Sequence, residues 1–162
     1  MHLRITTLLI PFLIISSELI FAGQYKVVRV VDGDTIVIRY SGKYEKVRLL
    51  CVDTPESVHP DKKQNIPMGK VATRYTQKKL TDKYVKLEFE IHRLRGNYGR
   101  LLAYVFVDGQ NLNLDLVRQG LSPYYTKYGK SKKYDSEFRA AEKRPEKRNR
   151  TYGEILSLQR NT

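Results

Sequence analysis

The sequence predicts an α+β, mainly β domain: a small barrel of short strands that carries helices. Three observations lead there. Short β-rich runs follow one another, joined by tight-turn signals. One run alternates strictly between apolar and charged residues, the mark of a half-buried strand. A stretch with helical spacing falls between the third and fourth strands.

The elements follow in order. "QYKVVRVV" and "TIVIRY" are the first two strands, joined through "DGD", a hairpin signal. After "SGK", a second turn, "YEKVRLLCV" is the third strand, with Leu49 to Val52 as its buried apolar end. A polar, proline-containing loop runs from Asp53 to about Pro67. Residues 69–80, "GKVATRYTQKKL", space Val71, Ala72, Tyr75 and Leu80 along one side of a helix. "VKLEFEIHRL" puts Leu87, Phe89 and Ile91 on one face of a strand and Glu88, Glu90 and His92 on the other. "LLAYVFVDG" is a fifth strand ending in a turn. Asn113 caps a short helix, "LDLVRQ", which Gly120 stops. A last helix runs from near Tyr134 to Pro145 and buries Phe138 and Ala141. No internal repeat is visible. Five strands with a helix between the third and fourth is the order of a Greek-key OB-fold barrel, here with three helices, an architecture that often binds oligonucleotides.

The first 22 residues stand apart. Met1 to Arg4 is a short basic start, and Ile5 to Ile15 is apolar apart from two threonines and Pro11. A run this short, followed by Ser16, Ser17 and Glu18, suits a cleaved secretory signal better than a membrane span, with cleavage after Ala22 or Gly23. The expected organisation is a signal over 1–22 and one domain over 23–162, released to the periplasm or fully secreted and with no stable membrane association. About 140 residues remain, enough for one modest core. The tail from about 143 to 162 opens on the basic run "KRPEKRNR", read as a solvated end.

Cys51 is the single cysteine, so no intrachain disulfide can form; it reads as a small core residue. With histidines only at 2, 59 and 92 and no Cys-x-x-Cys, zinc is not expected. Lys and Arg number 30 against 17 Asp and Glu, a formal net charge of +13. Arg4 and Glu18 cancel within the leader, so the domain keeps the whole excess. Such a field draws polyanions, and the 12 tyrosines offer rings on which bases stack, so a nucleic-acid partner is favoured.

The residues suited to chemistry sit where strands meet turns. Asp32 and Gly33 are explained by the hairpin, as "VDG" at 107–109 shows by repeating it without a second carboxylate; Asp34 is the extra feature. In "VDTPE" Asp53 ends a buried run, and Pro55 pushes Thr54 toward extended geometry, so Glu56 leaves in a constrained direction. Two carboxylates with a backbone carbonyl and waters suit Ca²⁺ or Mg²⁺ rather than a softer metal. Arg48 precedes the apolar run and Arg100 follows the turn "GNYG"; guanidinium forks bind phosphate oxygens bidentately. Turn capping and structural ion pairs would explain the same residues equally simply.

"VDGDT", "RLLCVDTPES", "HP", "YGR", "AYV" and "LVRQGL" occur here in the order found in the staphylococcal nuclease (thermonuclease) family, and the chain resembles that family over about residues 24–148. The resemblance implies the OB-fold barrel with three helices. It implies that Asp34, Asp53 and the Thr54 carbonyl hold Ca²⁺, that Arg48 and Arg100 hold the scissile phosphate, and that Glu56 orients or deprotonates the attacking water. Tyr98 would contact a substrate phosphate. Members of the family cut DNA and RNA, single- or double-stranded, with little sequence preference and leave 3′-phosphates. Gly96 and Asn97 depart from the acid and lysine often found there. The loop from His59 to Pro67 is one residue longer than in the type member, and Lys62 and Lys63 are expected to reach substrate from it. "PYYTKYGK" offers Tyr124, Tyr125 and Tyr128 for base stacking, with Tyr128 the choice; Tyr152 stands where many relatives carry tryptophan. The expectation is thus a secreted, monomeric, calcium-dependent nonspecific nuclease, a phosphodiester hydrolase. The alternative is a noncatalytic OB-fold module that binds nucleic acid or serves as a scaffold, and a third reading, a basic adhesin, explains the charge but not the carboxylates.

Overall fold

The computed structural model describes residues 23–55, 67–91 and 93–143. The leader over 1–22, Glu56, Lys62, Lys63, His92 and most of the tail, with Tyr152, lie outside the described residues.

β1 (Tyr25–Asp32), β2 (Thr35–Tyr40) and β3 (Lys43–Leu49) form an antiparallel meander, and α1 (Pro67–Leu80) follows. β4 (Tyr84–Glu88), β5 (Leu101–Val107), a two-residue β6 (Gln110–Asn111), α2 (Leu112–Arg118) and α3 (Asp135–Glu142) complete the order. The strands run β3-β2-β1-β4-β5-β6. A parallel pairing of β3 with β5, Val47↔Leu101 to Leu49↔Ala103, closes the sheet into a five-stranded barrel. This is the OB-fold-like α+β barrel with three helices that the strand order predicts.

The β-branched run of β2 buries Ile36 and Ile38, which join Val47, Leu49, Val85, Leu87, Leu101, Ala103 and Val105 in the interior. Tyr104 and Phe138 are fully buried where α3 meets the barrel. α1 lays Val71, Ala72 and Leu80 on the core, and Lys78 and Lys79 in its last turn suit the negative end of the helix dipole. Tyr75 is half-buried and donates to Asp115 Oδ2 at 2.6 Å, tying α1 to α2. The buried Thr76 hydroxyl donates to the Gly33 carbonyl at 2.7 Å, tying α1 to the first hairpin. Among the described residues no helix is long and apolar enough to cross a membrane.

Five expectations are corrected. The third strand stops at Leu49: Leu50 and Cys51 turn, with Cys51 at φ +61°, and Val52 bridges to Tyr124. A straight strand would carry Asp53 away from Asp34, whereas the left-handed residue folds the chain back over it. Asn113 Nδ2 holds this turn by donating to the Leu50 carbonyl at 2.8 Å. Asn113 is thus a buried linker inside α2, and the N-cap is Asn111, whose side chain accepts from the Leu114 N–H. The fourth strand ends at Glu88, and Ile91 is 85% exposed. The alternation continues in sequence, but Glu90 is drawn aside to accept from the Tyr104 hydroxyl at 2.6 Å, and the chain turns at Arg93. α1 starts two residues earlier than its periodicity indicates, while α3 ends at Glu142, three short of Pro145. Phe138 and Ala141 are buried as expected, and Cys51 is a buried core thiol whose Sγ lies 3.7 Å from the Tyr104 hydroxyl.

Candidate active site

The first hairpin places Asp34 at one end of the barrel. Asp34 is buried. Its Oδ1 accepts the Thr35 hydroxyl at 3.1 Å. Its Oδ2 accepts the Thr54 N–H at 2.7 Å and the Thr54 hydroxyl at 3.1 Å. Arg48 arrives through strand register: it pairs across β2–β3 with Thr35, next to Asp34. Its Nη1 lies 3.0 Å from Asp34 Oδ2, and its Nη2 donates to Asp53 Oδ1 at 2.7 Å. Nη1 also donates to the Val52 carbonyl at 2.8 Å, so the guanidinium plane is fixed from several sides. Asp53 is held from behind, its N–H donating to the Ser122 hydroxyl at 2.8 Å.

Burial is the largest influence on the Asp34 carboxyl and raises it. Arg48 opposes, Asp32 adds repulsion and the Thr54 amide opposes again; the outcome is a pKa pushed up to about 7. One arginine therefore does not fully compensate a carboxylate this deep. The donor set fits a hard cation: the buried Asp34 carboxylate asks for more positive charge, Asp53 presents a side chain about half exposed, at 47%, and the Thr54 carbonyl follows Asp53 directly in sequence. Among the described residues no three His, Cys, Asp or Glu side chains gather around one point, so waters would have to complete the shell.

The parallel β3–β5 pairing matches Arg48 with Leu102, which brings Arg100 to the same end of the barrel. The turn before β5 is closed by Gly96 N–H to the Arg100 carbonyl and Gly99 N–H to the Gly96 carbonyl, both 2.9 Å, with Gly99 at φ +72°. Arg95 braces it, meeting both Glu45 oxygens at 3.0 Å and the Gly99 carbonyl at 2.6 Å. The Arg100 guanidinium lies 5.6 Å from the ring of the exposed Tyr98.

Arg48, Asp53, Tyr98, Arg100, Tyr125 and Tyr128 line one cleft of about 320 Å³. The structure thus brings Arg48, Arg100, Asp53, Tyr98 and Tyr128 together, with Asp34 and Thr54 beneath through Arg48. Tyr124 does not join them. It is buried, stacked on Phe138 at 4.8 Å, and its hydroxyl donates to Asp135. Sequence reasoning missed the Thr54 side chain, Thr35 and Ser122, small hydroxyl residues whose role exists only in three dimensions. It also passed over Arg93 and Arg95, which line the same cleft and were visible only as two more basic residues.

The family described as "Staphylococcal nuclease homologue" matches residues 46–151. A protein named Thermonuclease from Staphylococcus intermedius is 43% identical over 107 residues, 66% of this chain and 62% of the relative. A Thermonuclease from Staphylococcus hyicus is 38% identical over 123 residues, 76% of this chain and 71% of the relative. Endonuclease YncB of Bacillus subtilis is 40% identical over 114 residues, 70% of this chain and 54% of the relative.

Proposed function

This chain belongs to the staphylococcal nuclease family, and from that premise we propose that it is a phosphodiester hydrolase, a nonspecific nuclease acting on DNA and RNA. Ca²⁺ is the proposed cation, with Asp34, Asp53 and the Thr54 carbonyl as its protein ligands. Arg48 and Arg100 hold the scissile phosphate, Glu56 orients or deprotonates the attacking water, and Tyr98 contacts a substrate phosphate. Tyr128 receives a base and Lys62 reaches the substrate backbone. The products carry 3′-phosphates. The chain acts as a monomer, exported to the periplasm or beyond after loss of a signal over 1–22.

The observation that carries this reading is the Arg48 guanidinium, which joins Asp34 and Asp53 at a cleft that Arg100 also lines. A bound calcium ion supplies positive charge beside the phosphate. The two arginines add fixed donors aimed at the equatorial oxygens, whose charge rises toward the transition state. Arg48 is held by its aspartates and two backbone carbonyls, so little reorganisation accompanies the reaction. Positions that grip phosphates and stack bases, without reading base edges, suit a cutter indifferent to sequence.

The test is hydrolysis of single- and double-stranded DNA and RNA by the chain lacking residues 1–22, with Ca²⁺ and with a chelator. Cleavage that needs the cation is expected. Binding without cleavage under Ca²⁺ would overturn the enzyme reading in favour of a noncatalytic OB-fold module. Glu56→Gln should slow turnover on the order of 100-fold or more with the melting temperature unchanged; wild-type turnover would remove Glu56 from the mechanism.

A further inference from the structure

Arg93 lines the cleft together with Arg48 and Arg100, and the chemistry above makes no use of it. Its Nη1 donates to the Tyr128 carbonyl at 2.6 Å, and its guanidinium carbon lies 5.8 Å from the Tyr128 ring centroid. That same Nη1 is the atom a Cβ at Gly129 would approach, at 3.9 Å, so the side chain runs along the 128–129 backbone. Arg48 and Arg95 meet carboxylates, whereas among the described residues Arg93 meets none within ion-pair distance. A guanidinium carries five N–H donors, so one bond to a carbonyl leaves most of the fork for an anion. The neighbouring ring is prepared as well: Tyr128 is 64% exposed, the Lys127 ammonium lies 5.8 Å from its centroid, and Tyr125 meets it edge-on at 5.9 Å.

We propose that Arg93 is a second phosphate-binding point, gripping a phosphate that flanks the bond being cut while Tyr128 stacks on the adjoining base. The proposal rests on the nuclease reading and narrows it. The preferred ligand is a single-stranded polynucleotide several nucleotides long, since a base must leave its own stack to lie on a tyrosine. Arg93 enters from the segment after β4 and is anchored to the 128–129 backbone rather than to the aspartate pair, so it serves a different phosphate from Arg48.

Two measurements test it. Fluorescein-labelled octathymidylate is titrated with the chain in chelator over a range of salt, and the same octamer and a dinucleoside monophosphate are hydrolysed with Ca²⁺. Arg93→Ala should weaken octamer binding about tenfold and lower the slope of log Kd against log salt by about 0.7, the value for one phosphate on a single strand. Arg93→Lys should keep that slope. The KM advantage of the octamer over the dinucleoside monophosphate, which has only a scissile phosphate, should shrink about tenfold in Arg93→Ala. Should that variant fail to fold, Arg93→Gln, which keeps a donor for the Tyr128 carbonyl but no charge, replaces it. An unchanged salt slope, or equal losses on the two substrates as a mere prop for Tyr128 would give, overturns the proposal. If wild-type protein binds but never cuts, the nuclease reading fails, and the salt slope still judges Arg93.

Discussion

A methyl group added at Gly33 would stand 2.7 Å from both the Ala72 Cβ and the Thr54 hydroxyl oxygen. Neither neighbour is the loose end of a long side chain, so Gly33→Ala must push α1 or Thr54 away. The expected cost is about 1–3 kcal/mol, read from urea unfolding, with weaker cation binding because Thr54 then leaves Asp34. Asp34 itself makes stability depend on pH. Its carboxyl titrates near 3.8 when unfolded and near 7 when folded, so between those values the folded chain holds a proton that the unfolded chain has lost. Stability therefore falls as pH rises from about 4 to about 7 in chelator. Thermal melts should show this decline, saturating Ca²⁺ should oppose it, and Asp34→Asn should flatten it. Arg100→Ala keeps the fold and lowers turnover on the order of 100- to 1,000-fold, measured on single-stranded DNA with Ca²⁺.

Elements are held together here by a few buried polar bridges. Asn113 accepts from the Val105 N–H at 2.9 Å and donates to the carbonyls of Leu50 and Ala103 at 2.8 and 3.2 Å, joining α2, β5 and the turn after β3. Asn113→Ala strands those groups away from water and should cost about 2–4 kcal/mol in chemical unfolding. The strands were legible in the sequence because β-branched runs and Asp-Gly turns are local signals. The turn at Cys51 was not, since "LLCV" is continuously apolar and only the need to return over Asp34 bends it. Asn111 and Asn113 are chemically identical, and which one caps and which one links depends on the barrel each faces. For the site, Arg48, Asp53 and Arg100 stood out through their order along the chain. Ser122, the support behind Asp53, lies 69 residues away and carries no pattern of its own.

At the scale of the molecule, the net charge of +13 sets how nucleic acid arrives. Association should slow and KM should rise steeply with salt, while the cation requirement stays the same. The parallel pairing of β3 with β5 has a different consequence, which concerns time. It joins residues 47–49 to residues 101–103, a contact across a third of the chain that carries a large loop-closure cost. Arg48 sits in that pairing and Arg100 directly precedes it. A refolding chain can therefore have its meander and its helices in place and still have no site, because the two arginines meet only when this seam of the barrel shuts. Regain of activity then reports closure of that seam, and a chain held open there would carry every residue the chemistry needs and cut nothing.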